Sequence, residues 1–336
     1  MGTQLVPLPE VERLSASVIR ILGGNPGKVS SGDVSKRILG TKWLTALHGA
    51  LHSSLYKVRY PHALPYRGLS SDTPPGTNTY LIGRGRQRIL IDTGQGEPTW
   101  AKHLQSVLSV EQATVHQALL THWHGDHVGG LPDLQRLCPG AQVFKHHREP
   151  EDKYTDIQDG QVFRVEGATL RALYTPGHTE DHMVFVLEEE DAMFTGDNVL
   201  GHGTAVFEDL TTYLASLHRM RDRVQGRGYP GHGAVVESAT ARITEYIQHR
   251  QQREDEVLRV LRYGKLDVAA GEPEPEQRQA WTPLELVRQI YVGVPENLHL
   301  PASHGVSLVL AKLEGEGRTV QADSGAWKLA EKRSAL

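Results

Sequence analysis

The segment Thr121-His122-Trp123-His124-Gly125-Asp126-His127 follows directly on the apolar run Ala118-Leu119-Leu120 and sets four metal-competent side chains within six positions. Side chains on an extended strand alternate faces, so His122 and His124 point the same way. Gly125 supplies a turn that lets Asp126 and His127 swing to a second point nearby, at the start of a helix. Imidazole nitrogens and a carboxylate at this spacing suit Zn²⁺, with positions left for water in a catalytic site. A lone His-x-His is more simply a His-rich surface loop, and each later candidate is by itself more simply a turn. Three such candidates nevertheless recur at glycine-marked strand ends: His178 in Tyr-Thr-Pro-Gly-His (174–178), Asp197 in Phe-Thr-Gly-Asp (194–197) and His232 in Tyr-Pro-Gly-His-Gly (229–233). Loops held at the ends of a rigid sheet are where function concentrates.

Such residues need a sheet edge to gather them. Between about 76 and 235, β-rich runs alternate with helical ones. Strands are expected at 78–82, 88–92, 117–121, 142–145, 169–174, 183–187 and 192–195, and helices near 99–110, 127–137 and 208–224. Ser17–Leu22 reads as an opening strand. A long charged helix at 236–262 leads to an acidic Pro-rich hinge, Glu-Pro-Glu-Pro-Glu (272–276). Helical patterns near 282–293 and 302–316, then a hairpin through Ala326-Trp327-Lys328, suggest a winged-helix-like appendage. The division expected is therefore 1–245 and 246–336, with residues 29–75 as an atypical insertion. That insertion carries six Lys/Arg against two Asp and no long period.

Composition narrows the function classes. The 336 residues carry 36 Lys/Arg and 40 Asp/Glu, a net charge of −4, and 38% hydrophobic residues, enough for a sizeable core. This balance does not favour nucleic acid or an anionic membrane as partner. No run approaches the ~18 apolar residues of a membrane span, and the first residues lack the features of a secretory signal. The single cysteine, Cys138, fits a reducing compartment, so a cytoplasmic protein is expected.

Taken with their spacing, these motifs resemble the metallo-β-lactamase superfamily, whose His-x-His-x-Asp-His signature stands here as His122, His124, Asp126 and His127. The later family ligands match His178, Asp197 and His232. The resemblance implies an α/β fold, a four-layered αββα sandwich, with two Zn²⁺ per chain at one edge. It implies His122, His124 and His178 on one zinc, Asp126, His127 and His232 on the other, and Asp197 bridging them. Asp92-Thr93-Gly94 matches a further family element that supports the ligands. The chain is most similar to a branch that includes an endoribonuclease and fungal acyl-carrier-protein thioesterases of polyketide pathways, through segments 14–28, 76–83, 203–209 and 295–299. That branch ends in a winged-helix-like domain. Its members join the Asn-Pro-Gly element to Gly-Thr-Asn-Thr-Tyr through a few residues, so 29–75 departs from the pattern. Two readings of it stay open: a retained intron, since Val29-Ser30 could encode a splice donor, or a lid or docking insertion.

Zinc lowers the pKa of bound water from about 15.7 to near 7, which implies hydrolysis without a serine or cysteine nucleophile. Asp126, beside the reacting water, is the expected catalytic proton acceptor. A thioester suits such a site because its thiolate, with a pKa of about 8.5, leaves readily. RNA cleavage calls for a basic track, whereas 246–336 holds 12 Lys/Arg and 13 Asp/Glu. The expected reaction is release of a polyketide acid from its acyl-carrier protein. The alternative is an endoribonuclease of the same branch acting on single-stranded RNA, and a zinc-stabilised scaffold is the non-enzymatic reading. Arg250, Arg253 and Arg262 are expected to be a solvated helix face rather than a phosphate route. Trp123, between two ligand positions, is expected to point away from the metals and pack, and His182 is a candidate for ligand support.

Overall fold

The computed structural model describes residues 8–23, 76–147, 154–264 and 280–331; the expected insertion at 29–75 and the hinge at 272–276 lie outside these. Strand order follows from where apolar side chains alternate. In β3 (Asn78–Ile82) and β4 (Gln87–Ile91), Tyr80, Ile82, Ile89 and Ile91 face one core while Leu81 and Leu90 face another. With both faces buried, these strands are near-continuous apolar runs. They join β1 (Val11–Arg13), β2 (Val18–Leu22), β5 (Thr114–Leu120) and β6 (Gln142–Lys145) in a six-stranded sheet of order β1-β2-β3-β4-β5-β6. The pairs β4/β5 and β5/β6 are parallel and the rest antiparallel.

A second sheet has the order β11-β10-β9-β8-β7, from β7 (Val162–Val165), β8 (Ala168–Tyr174), β9 (Met183–Leu187), β10 (Ala192–Gly196) and β11 (Gly228–Pro230). Met183, Phe185 and Leu187 meet the first sheet's inner face, and Val184 and Val186 face outward. Tyr80, Phe194 and Tyr229 lock the interior together with ring centroids 5.0–5.7 Å apart. The outer face of the first sheet is covered by α1 (Pro98–Val110) and α3 (Leu131–Leu137), through Trp100, Leu104 and Leu134. That of the second is covered by α4 (Leu210–Arg221) and α5 (Ala239–Tyr263), through Tyr213, Leu217 and Ile243. The αββα sandwich expected from the resemblance is the architecture observed.

The single helix expected over 127–137 is two: α2 (Gly125–Val128) and α3, broken at Gly129-Gly130. A Cβ at Gly130 would lie 2.0 Å from the Thr93 carbonyl oxygen, and one at Gly129 would lie 2.5 Å from that of Gln95. The break lets the turn after β4 approach the ligand loop. Beyond position 245, α5 continues unbroken, and Val257, Val260 and Leu261 pack on α6 (Pro283–Ile290) and α7 (His299–Gly315) through Leu286, Val306 and Leu310. Thr282 and Glu285 form a capping box at the start of α6. Strands β12 (Thr319–Gln321) and β13 (Trp327–Leu329) form the expected hairpin. Among the described residues no helix is long and apolar enough to cross a membrane.

Candidate metal centre

All seven ligand-type residues singled out in the sequence meet at one edge of the sandwich. The edge exists because β4, β5, β10 and β11 end there: Asp92 follows β4, His122 and His124 follow β5, Asp197 follows β10 and His232 follows β11. His178 arrives on the β8–β9 connection. Two groups form, His122/His124/His178/Asp197 and Asp126/His127/His232, each with its ligand atoms within 4.8 Å of one another. Glycine makes the approach possible. A Cβ at Gly231 would lie 2.4 Å from Asp197 Oδ1, and one at Gly196 (φ +48°) would lie 2.6 Å from His182 Nε2.

Hydrogen bonds behind the imidazoles fix which nitrogen faces inward. Asp92, fully buried, accepts from the Thr121 N–H and hydroxyl, both at 2.8 Å, and from His127 Nδ1 at 2.8 Å. With the Thr121 hydroxyl committed to Asp92, its oxygen is free to accept from His122 Nδ1 at 3.0 Å. His178 Nδ1 donates to the Val206 carbonyl at 2.8 Å. The Nε2 lone pairs of His122, His127 and His178 therefore face the site.

Those lone pairs lack sufficient partners in the protein itself. His124 Nδ1 lies 2.8 Å from His122 Nε2 and 3.2 Å from His178 Nε2, and one proton cannot satisfy both. His127 Nε2 and Asp197 Oδ1 are buried without a hydrogen-bond partner, 3.4 Å apart. Asp197 Oδ2 is 3.4 Å from His232 Nε2 and 3.8 Å from His178 Nε2, so its carboxylate spans the two groups. Unpaired buried polar atoms are costly, and a divalent cation among them would remove that cost. The donor set of imidazoles and carboxylates fits zinc or a similar metal.

The electrostatics separate the two groups. Burial, and then the neighbouring imidazoles, holds His122 far below the ordinary histidine range and takes His124 down to about 4. Burial also lowers His178. Burial opposes charge on His232 too, but the Asp197 carboxylate and the hydrogen bond to Asp126 push it up to about 9. Burial alone would raise Asp126; its bond from His232 and the charges of His127 and His232 hold it well below the usual carboxylate range.

Supporting residues divide into those legible in sequence and those not. Asp92 and His182 belong to the first kind: Asp92 bonds His127, and His182 Nε2 accepts the Asp197 N–H at 3.1 Å. The second kind comprises Thr77, whose hydroxyl donates to Asp126 at 3.0 Å, Asn78 and Tyr80, which bond the Pro230 carbonyl, and the Val206 carbonyl. Threonine, asparagine and a carbonyl carry no signal of their own. The expectation that Trp123 packs into the core is overturned. Its side chain is 49% exposed and packs edge-on against His124, centroids 4.6 Å apart. It lies three residues past the end of β5, beyond the paired part of the sheet. Arg253 makes a local ion pair with Glu256 at 2.5 Å, as a charged helix face would, but neither arginine is simply solvated: Arg250 lies over Phe207 and bonds the Ala205 carbonyl, and Arg253 lies over Tyr291.

Comparisons with known proteins agree with this geometry. The Metallo-beta-lactamase superfamily profile matches residues 72–248, and that of the Beta-lactamase associated winged helix domain matches 282–327. An atrochrysone carboxyl ACP thioesterase of Aspergillus chevalieri is 40% identical over 94% of this chain and 86% of its own. A protein of the same name from Claviceps purpurea is 40% identical over 85% and 76%. A solved metallo-beta-lactamase family protein of Thermus thermophilus is similar at a TM-score of 0.59 and 24% identity, covering 79% of this chain and 96% of that one, which speaks to the fold.

Proposed function

The chain belongs to the metallo-beta-lactamase superfamily, and from that premise we propose that it is a metal-dependent thioester hydrolase that releases a polyketide acid from its acyl-carrier protein. The single observation that carries this is the convergence of seven imidazole and carboxylate side chains at one edge, in a chain with thioesterase relatives over most of its length. In this reading His122, His124 and His178 would hold one Zn²⁺, Asp126, His127 and His232 would hold a second, and the Asp197 carboxylate would be available to both. A bound cation of this kind acidifies water and polarises a carbonyl.

The chain's own residues supply the rest. Val206 and Asp92 hold His178 and His127 with Nε2 inward, so no reorganisation is needed. Thr77 donates to Asp126 Oδ2, the oxygen that faces His232, and so fixes an ionised carboxylate that would orient the reacting water and accept its proton. Water adds its oxygen to the acyl carbon as the C–S bond breaks, giving the free acid and the carrier's thiol. The leaving thiolate needs little proton assistance. Cys138 is buried, with Thr114 Oγ1 3.5 Å from its sulfur, and takes no part.

The test offers the purified protein an acyl-carrier-bound polyketide and a single-stranded RNA side by side. Release of the acid with intact RNA supports the proposal. RNA cleavage without acid release replaces it with the endoribonuclease reading.

A further inference from the structure

Large apolar side chains exposed on a protein surface are ordinary when scattered. Two of those exposed here are instead attached to the candidate metal centre. Trp123, 49% exposed, lies against the His124 ring, and Val206, 54% exposed, stands on the residue whose carbonyl holds His178. His124 and His178 are themselves in contact, with ring centroids 4.9 Å apart. The indole thus lies against one imidazole of this pair, and the exposed Val206 is tied through its backbone to the other.

Neither side chain is on a loose loop. Trp123 is fixed between His122 and His124. The stretch around Val206 is pinned on both sides: the Ala205 carbonyl accepts from Arg250 at 2.7 Å, and the Glu208 N–H bonds the Gly177 carbonyl at 2.6 Å. Phe207 stacks on Tyr213 with centroids 5.3 Å apart, and Arg250 covers Phe207 at 4.8 Å. Apolar groups held rigidly in water beside a reactive centre bind a hydrophobic ligand without a further ordering cost.

The geometry points to Trp123 and Val206 as specificity-determining residues that contact the acyl part of the thioester and favour a flat, aromatic acyl group over a short aliphatic one. The indole offers a face for ring stacking, and Val206 offers apolar contact on the His178 side. This inference rests on the thioesterase reading and deepens it. It differs from metal binding because neither side chain carries a ligand atom for the cation.

The test compares 2-naphthoyl and acetyl thioesters of N-acetylcysteamine, with wild-type protein and the W123A, W123F and V206S variants, each assayed for metal content. The ratio of kcat/KM for naphthoyl over acetyl is expected to fall about tenfold in W123A, mainly through KM, and about threefold in V206S. W123F is expected to restore most of the ratio. Equal loss on both substrates, or a loss that tracks metal content, would overturn the inference, because the effect would then run through His124. Calorimetry with a non-hydrolysable naphthyl thioether separates the two levels. Trp123-dependent binding by a protein that hydrolyses neither thioester sinks the thioesterase reading and keeps the aromatic contact. Hydrolysis with a ratio indifferent to Trp123 does the reverse. Single-stranded RNA that displaces the thioether would overturn the acyl assignment, since bases stack on indole as well.

Discussion

At the edge where β4, β5, β10 and β11 begin, buried charge is matched. The Arg88 guanidinium bonds the Gly83, Gly85 and Arg84 carbonyls and lies 3.1 Å from Glu111, which also takes Arg13 at 2.5 Å. Glu190 at the same edge accepts from the Ser15 and Ser17 hydroxyls at 2.5 Å and from Tyr229 at 3.2 Å. At the edge where those strands end, imidazole faces imidazole, and His127 Nε2 and Asp197 Oδ1 have no hydrogen-bond partner. The same two sheets therefore support opposite arrangements. One edge satisfies its polar groups and stabilises the fold; the other leaves them short, as the proposed metal centre requires. Evolution tolerates such unsatisfied groups where function uses them.

The strongest way to break this contrast is to remove a ligand. His124→Ala or Asp126→Asn should reduce thioester hydrolysis by a factor of about 10³ or more, with the melting temperature shifted by only a few degrees. Near-wild-type turnover by both variants, at normal metal content, would take the end-of-strand edge out of the chemistry. Removing the metal with a chelator comes next: activity should vanish and return with zinc or manganese. The melting temperature should fall as well, because a ligand that binds only the native state stabilises it. A melting curve identical with and without metal would contradict the view that the orphaned nitrogens and oxygens are cation sites.

The reasons some of this was legible are local. His122, His124, Asp126 and His127 advertise themselves because four ligand types crowd one strand end, and Gly196 and Gly231 mark places where backbone must pass a side chain. The long, strongly apolar strands were equally plain. By contrast β1 and β7 carry no such signal, and β11 shows only its glycine-marked end. Gly228–Pro230 is three residues with a proline, Val11–Arg13 is largely exposed, and both are strands only because β10 and β2 pair with them. Trp123 misleads because strand alternation does not hold three residues beyond the end of β5, where it no longer says which side is filled. The charged face of α5 misled differently, since Arg250 and Arg253 cover aromatic rings that lie far away in sequence.

A smaller effect sharpens the contrast from inside the site. Asp92 holds His127 but offers no atom to the cation groups, so Asp92→Asn should keep the ligand set and weaken metal affinity by about 10–100-fold. Chelator competition, followed by metal analysis, reads this directly. Wild-type affinity would mean that the orientation of His127 is set by packing alone.

The smallest effect belongs to the opposite edge. Burial by itself would raise the Glu111 carboxyl, but the Arg13 and Arg88 guanidiniums outweigh it and hold the group below the ordinary value of 4.5. A depressed pKa in the folded state means that the ionised form stabilises the fold at pH values above the unfolded pKa, and that this contribution is lost as pH falls through the folded value. Glu111→Gln should therefore cost about 1 kcal/mol at pH 7, the size expected for a partly exposed ion pair. The gap to wild type should narrow below a pH of about 4.5 and close at still lower pH, while hydrolysis at pH 7 changes little. Urea titrations across this range measure it. A gap that stays constant with pH would mean that Glu111 acts by packing rather than by charge, and the matched edge would then owe its stability to its apolar contacts instead of its ion pairs.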